Sequence, residues 1–336
     1  MDGLVNDLGR DWVRRLVGLL AGVGGVLVLV VIVSSAYLRL SDAGLSCTDW
    51  PACYGAMHHA AEATSGERAA RLAHRFTATG VTAVLIALLT VALRQRPRLR
   101  RVAAIAGAGL AIAAALAVIG AVSSEAARDA PLPAVTLANL AGGFALLALM
   151  GWLREETLSP SRTLDAAASA PAAAAPRWLG TLAGFALAAL VVQVLLGGLV
   201  SARFAGLACP SFPLCGADAP PGSWRNAFNP FATLALDASR TVVRPAALAS
   251  LHWAHRVVAH VVLLFDAVLA VALYRASLRR YAVAVAAFTI ATIALGAASV
   301  LNALPLGAVL SHNFVAALLL ATLVALNARV RARQSV

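Results

Sequence analysis

Ser250-Leu251-His252-Trp253-Ala254-His255-Arg256-Val257-Val258-Ala259-His260-Val261-Val262-Leu263-Leu264-Phe265-Asp266-Ala267-Val268-Leu269-Ala270-Val271-Ala272-Leu273-Tyr274 decides the class of this chain. After the histidines the stretch is almost unbroken Val, Leu and Ala, closed by Arg275 and followed by Arg279 and Arg280. About twenty apolar residues in a row is the length at which a helix crosses a hydrocarbon core. Seven further blocks of this kind follow the same rule, and the predicted spans are 16–37, 74–93, 102–123, 133–153, 178–199, 250–274, 281–300 and 307–328. The composition agrees: 61% of the 336 residues are apolar and 12% charged, against about a quarter charged in a soluble domain. This excludes a soluble enzyme, a disordered chain and a secreted disulfide scaffold. The period-2 alternation of a membrane barrel is absent. The predicted class is an all-α integral membrane protein.

The net charge of +12 invites a nucleic-acid reading, but its distribution gives a topology. All 27 basic residues are Arg. Seventeen of them, with 6 acids, fall at the two termini and in alternate loops (near 94–101, 154–177 and 275–280). The rest of the chain carries 10 Arg against 9 acids. That asymmetry is the positive-inside pattern. It predicts a multi-pass protein of a bacterial cytoplasmic membrane, in contact with lipid and not nucleic acid, with both termini cytoplasmic. The first span is longer than a signal-peptide core and has no clear cleavage site after it. The Ala/Ser/Pro-rich stretch 157–177 reads as a cytoplasmic linker between halves at 1–156 and 178–336.

Two long loops, about 38–73 and 200–249, face outward and hold all four cysteines, Cys47 and Cys53, then Cys209 and Cys215. Two local disulfides are expected in an oxidising compartment. The rival is a four-thiolate metal site, which lacks the close Cys-x-x-Cys spacing of structural zinc.

The halves repeat. Ala43-Gly44-Leu45-Ser46-Cys47-Thr48-Asp49-Trp50-Pro51-Ala52-Cys53 returns 162 residues later as Ala205-Gly206-Leu207-Ala208-Cys209-Pro210-Ser211-Phe212-Pro213-Leu214-Cys215. A His-Arg pair enters the next span in each half, His74-Arg75 and His255-Arg256. Gly120-Ala121 and Gly296-Ala297 close a later span, and Leu132-Pro133 and Leu304-Pro305 open the last. The repeat predicts two pseudo-symmetric four-helix bundles, each with an equivalent site.

Of seven histidines, His58 and His59 belong to the first outer loop. The repeat picks His255 over its neighbours His252 and His260, and pairs it with His312 at matching depth. Two imidazoles across a bundle core make a bis-His haem iron site. Arg75 and Arg256 stand where they would pair with haem propionates or anchor the helices at the interface. In the N-terminal half the counterpart of His312 is Asn139, a poor iron ligand. A haem there would have His74 as its one strong ligand.

These residues resemble the haem A synthase family. The resemblance rests on Arg39-Leu40-Ser41-Asp42-Ala43-Gly44-Leu45-Ser46-Cys47-Thr48-Asp49-Trp50-Pro51, Ala205-Gly206-Leu207-Ala208-Cys209-Pro210, His252-Trp253-Ala254-His255-Arg256, and Leu304-Pro305 leading to His312. It implies haem b in the C-terminal half on His255 and His312. It also implies that haem O enters the N-terminal half and has its C8 methyl oxidised to a formyl, giving haem A for terminal oxidases. A farnesyltransferase-type enzyme would supply haem O, and an electron donor would supply reductant; a homo-oligomer is compatible with this. Members carry His at the position of Asn139, and a Glu three residues before His74, where Arg71 stands. Glu67 is the acid left on that helical face; its other reading is an exposed loop acid. Both departures fall in the substrate half. They motivate the alternative of a haem b electron-transfer or haem-handling protein without the oxidation chemistry. Asp266 is the one acid well inside a span, and its partner is not evident from sequence.

Overall fold

The computed structural model describes residues 2–42, 64–95, 99–126, 132–158, 176–209, 211, 215, 224–239 and 241–334. Among them the regular secondary structure is helical apart from one isolated antiparallel bridge, Leu236 with Val242. The helices are α1 (Asp2–Asp42), α2 (Ser65–Arg94), α3 (Arg100–Ala126), α4 (Pro133–Leu158), α5 (Arg177–Ala202), the single turn α6 (Trp224–Ala227), α7 (Leu248–Arg275), α8 (Arg279–Leu301) and α9 (Leu306–Gln334). All but α6 contain a stretch long and apolar enough to cross a membrane. The helix is the form that satisfies every backbone N–H and C=O within its own segment, which hydrocarbon demands.

Every observed spanning helix contains its predicted span and runs past most of its ends. Hydropathy marks only the stretch inside the hydrocarbon, whereas the Arg-rich flanks continue the helix because Arg is a good helix former. At α2 the helix starts nine residues ahead of the expected 74. Thr64 explains it: its hydroxyl accepts from the Glu67 amide at 3.2 Å, and Glu67 Oε2 accepts from the Thr64 amide at 3.0 Å. This reciprocal box satisfies two of the orphan donors at a helix start.

The other ends are also built from local bonds. After α5, α7 and α8 the chain turns through left-handed residues that are not glycine: Phe204, Ser277 and Ala303. Behind each, a backbone N–H reaches back to a carbonyl five residues earlier: Ala205 to Val200, Leu278 to Leu273, Leu304 to Ser299. These are Schellman turns, and they aim the chain from α5 into the Cys209 loop and from α8 into α9.

In the first half α1 packs on α2 and α4, and α3 closes against α2 and α4. In the second, α5 packs on α7 and α9, and α8 lies between α7 and α9. The halves meet where α9 runs along α1 and α4, and α4 along α5. Leu85, Met150, Leu153, Leu179, Leu319 and Leu323 are fully buried in one core cluster that draws on both halves, and in lipid such contacts stabilise by close packing more than by leaving water.

Polar ties cluster at the Arg-rich end. Arg14 Nε donates to the Thr157 carbonyl at 2.6 Å, Arg329 faces Glu155 at 3.7 Å, and Asn327 Nδ2 donates to the Ala183 carbonyl at 3.0 Å. At the opposite end Arg39 Nη1 donates to Ser201 Oγ at 2.5 Å, joining the end of α1 to the end of α5. These two residues are counterparts in the 162-residue repeat.

Cys209 and Cys215 form a disulfide, as expected. Cys47 and Cys53, His58 and His59, and most of the expected linker lie outside the described residues.

Candidate functional site

Two cavities open at the end of the helices that bears the histidines. The first, about 810 Å³, is enclosed by α1, α2, α3 and α4, with Asn313 of α9 in its wall. The structure brings His74, Arg75 and Asn139 together around it; His74 and Asn139 are half-buried. Gly120 of α3 is also in its lining, and a Cβ there would meet nothing within 4 Å. Arg39 reaches the same cavity from α1. Glu67 does not line it: its carboxylate is held at the start of α2 by the capping box. Arg71 is exposed.

The second cavity, about 230 Å³, lies among α5, α7, α8 and α9. His252, His255, His260 and Arg256 line it from α7 and His312 from α9. It is smaller than an ordinary cofactor pocket, at roughly 300–1,000 Å³, and the imidazoles themselves take part of its space. Leu140, Phe144 and Asn313 belong to both linings, so a wall one side chain thick separates the cavities.

The four imidazoles are held differently. His312 Nδ1 lies 2.9 Å from the Thr292 carbonyl. A carbonyl only accepts, so Nδ1 carries the proton and Nε2 keeps its lone pair. His260 is exposed and its Nδ1 lies 2.7 Å from the Arg256 carbonyl, a tie to its own helix. His252 and His255 each have a buried Nδ1 with no hydrogen-bond partner. Gln193 Nε2 stands 3.4 Å from His255 Nε2.

Glycines make room for the two rings that the repeat singles out. A Cβ on Gly197 of α5 would come 2.9 Å from Cε1 of His255, and a Cβ on Gly296 of α8 would come 3.1 Å from Cε1 of His312. Each imidazole therefore lies against the bare backbone of a neighbouring helix.

Arg256 is 8% exposed, and its guanidinium donates to the carbonyls of Cys209 and Ser211, both at 2.5 Å. It ties the disulfide loop onto α7. Arg203, 7% exposed, donates to the Ala232 and Asn226 carbonyls at 3.0 Å and holds the rest of that loop; its burial lowers its pKa.

No three His, Cys, Asp or Glu side chains among the described residues gather to hold a bare metal ion. Two imidazoles lining one cavity suit a planar iron group, whose own nitrogens fill the other positions. Of the residues in these linings, sequence reasoning did not single out Gly197, Gln193, Thr289, Thr292 and Asn313. For Gly197 a signal existed: it follows Gln193 in an otherwise apolar helix, and small residues in such helices mark close approach.

Among the described residues, eight helices long and apolar enough to cross a membrane and two histidine-bearing cavities mark a multi-pass membrane protein with sites between its helices. The chain belongs to the COX15-CtaA family of cytochrome oxidase assembly proteins, whose model matches residues 18–324. It is 31% identical over 324 residues to the heme A synthase of Shewanella oneidensis, covering 90% of this chain and 93% of that protein.

Proposed function

We propose that this protein makes haem A from haem O by oxidising one porphyrin methyl to a formyl with molecular oxygen. The N-terminal cavity is the substrate site, and the C-terminal cavity holds a resident haem b. The observation that carries the reading is the pairing of a roomy cavity bearing His74 and Asn139 with a tighter one bearing His255 and His312. Membership of the family and likeness to a heme A synthase over nearly the whole chain support the chemistry.

The C-terminal residues fit a haem. His312 offers Nε2, fixed by its Nδ1–H bond to the Thr292 carbonyl, in the way outer partners orient a metal-bound imidazole. His255 has a buried nitrogen that nothing in the protein satisfies. Gly197 and Gly296 leave room for both rings to turn. A haem b bound there supplies one-electron transfer.

In the N-terminal half His74 is the single strong ligand for the substrate's iron, and Asn139 does not bind it. An imidazole has a lone pair to donate, whereas an amide nitrogen has none free. The face toward Asn139 is then open for oxygen, with the Asn139 amide able to donate a hydrogen bond to it. Arg75 and Arg39, in the lining of the same cavity, offer cations to the substrate's carboxylates. The methyl passes through the alcohol level to the aldehyde, and each stage consumes oxygen, electrons and protons. Haem O comes from a farnesyltransferase-type enzyme and electrons from a membrane donor. The Arg-rich ends and both termini face the cytoplasm, placing the cavities in the outer half of a bacterial inner membrane.

A second reading, a haem b electron-transfer protein without the oxidation, is favoured by Asn139 and Arg71 in the substrate half. Haem extracts separate the two. Cells that make haem O should accumulate haem A only when they carry this gene; a low-spin haem b signal without any haem A selects the second reading.

A further inference from the structure

Two acids among the described residues are buried, and their surroundings differ. Glu155, 5% exposed, faces Arg329 at 3.7 Å. Asp266, 1% exposed, has no Arg or His within ion-pair distance among the described residues. Thr289 Oγ1 donates to its Oδ2 at 2.7 Å, and Oδ1 has no hydrogen-bond partner. An unpaired carboxylate in hydrocarbon is among the costliest groups a helix can carry, and such acids are usually functional.

The position of Asp266 gives it a task. Its partner Thr289 lines the C-terminal cavity. One turn further along α8 lies Thr292, whose carbonyl receives the His312 Nδ1–H, and one turn beyond that is Gly296, against which the His312 ring rests. A single face of α8 thus carries the acid's partner at one end and the seat of an iron ligand at the other. The preceding residue of α7, Phe265, stacks on Phe185 of α5 with ring centroids 6.2 Å apart, so the acid sits where α5 and α8 both press on α7.

We infer that Asp266 is a proton site linked to the redox state of the C-terminal haem. An electron from an external one-electron reductant goes to the iron, and a proton from solvent goes to Asp266 Oδ1; oxidation returns both. The oxidised site carries one more positive charge, which favours the carboxylate; the reduced site favours the neutral acid. The inference rests on His255 and His312 as haem ligands.

The other titratable groups on the surrounding elements stand well away from Asp266 along the chain. On α5 the only one is Arg177, two turns before Phe185. On α8 they are Arg279, Arg280 and Tyr281, two turns or more before Thr289. On α6 Arg225 is at the opposite end of α7. On α7 itself His260 and Tyr274 are six and eight residues away, Arg256, His255 and His252 are ten or more residues before it, and Arg275 is at the helix end.

The test is the midpoint potential of the low-spin haem against pH in the purified full chain, for wild type, Asp266→Asn and Thr289→Val. In wild type the potential should fall with rising pH through one window, by at most one proton per electron. Asp266→Asn keeps an acceptor for Thr289 and is neutral at every pH, so it should hold the low-pH potential and lose the slope. Thr289→Val removes a bond to the carboxylate and should move the window to higher pH. Infrared redox-difference spectra give a readout that needs no variant at Asp266: reduction of wild type should raise a protonated-carboxyl band that shifts in Thr289→Val. A flat wild-type potential, equal slopes in wild type and Asp266→Asn, or no carboxyl band overturns the inference. Loss of the low-spin signal in His312→Ala is a separate result, and its absence would overturn the haem site instead.

Discussion

Replacing Gly197 by Ala places a methyl carbon 2.9 Å from Cε1 of His255, closer than folded proteins tolerate. The neighbour is the ring proposed to bind iron, so relief requires the imidazole to swing by several tenths of an ångström. Overpacking of this kind costs typically 1–3 kcal/mol, and here the strain falls on the orientation of a ligand. The same helix supplies the control. A Cβ on Gly184 would meet nothing within 4 Å, so Gly184→Ala adds only the helix preference of Ala over Gly, about 1 kcal/mol in its favour. Gly197→Ala gains that preference too, which leaves a net destabilisation of about 0–2 kcal/mol. The spectroscopic contrast should exceed the stability contrast. Purified Gly197→Ala should retain less haem and show a disturbed low-spin spectrum, while Gly184→Ala matches wild type. Unchanged haem content and spectrum in Gly197→Ala would refute the claim that His255 is positioned against bare backbone to bind iron.

Asn139→His should convert a haem docked in the N-terminal cavity to a low-spin bis-His form, because the neighbouring Gly120 has open space where Gly296 seats His312. The exchangeable haem should then be held about tenfold tighter or more, roughly 1.4 kcal/mol, and oxidation of the substrate should stop; resonance Raman and extraction assays read both. Replacing Cys209 and Cys215 by Ser should cost about 2–3 kcal/mol and loosen the loop whose carbonyls hold Arg256, seen as faster exchange of its amides. Non-reduced peptide mapping should also find Cys47 joined to Cys53, and crossed pairing between the loops would contradict that. Thr64→Ala should destabilise by about 1 kcal/mol through loss of the cap, whereas Glu67→Gln should keep turnover near wild type, since the Glu67 carboxylate is engaged with the start of α2 and not the cavity.

Hydropathy located every spanning helix because the requirement it measures, an apolar surface about thirty ångströms long, is a one-dimensional property of the chain. Helix ends were less legible, since the Thr64 box and the turns at Phe204, Ser277 and Ala303 are local hydrogen-bond solutions without an apolar signal. The repeat brought His255 and His312 into one reading although 57 positions separate them, and both residues line one cavity. What it did not convey was depth and packing: Asp266 finds Thr289 because α7 lies on α8, and nothing in either helix's own pattern marks the partner. Arg256 shows the same limit. The His-Arg pair in sequence fits either a propionate partner or an anchor, and the structure turns its guanidinium to the carbonyls of Cys209 and Ser211. Glu67 likewise looks like a spare acid on the face of His74 until its amide partner, Thr64, is seen.

The most direct test of the central claim loads the purified protein with haem O, adds oxygen and a one-electron reductant, and identifies the porphyrins extracted over time. Wild type should yield haem A, with its formyl group, while the low-spin haem b is recovered unchanged, and His74→Ala should return only haem O. Recovery of haem O alone from wild type that retains its low-spin haem b would contradict the account.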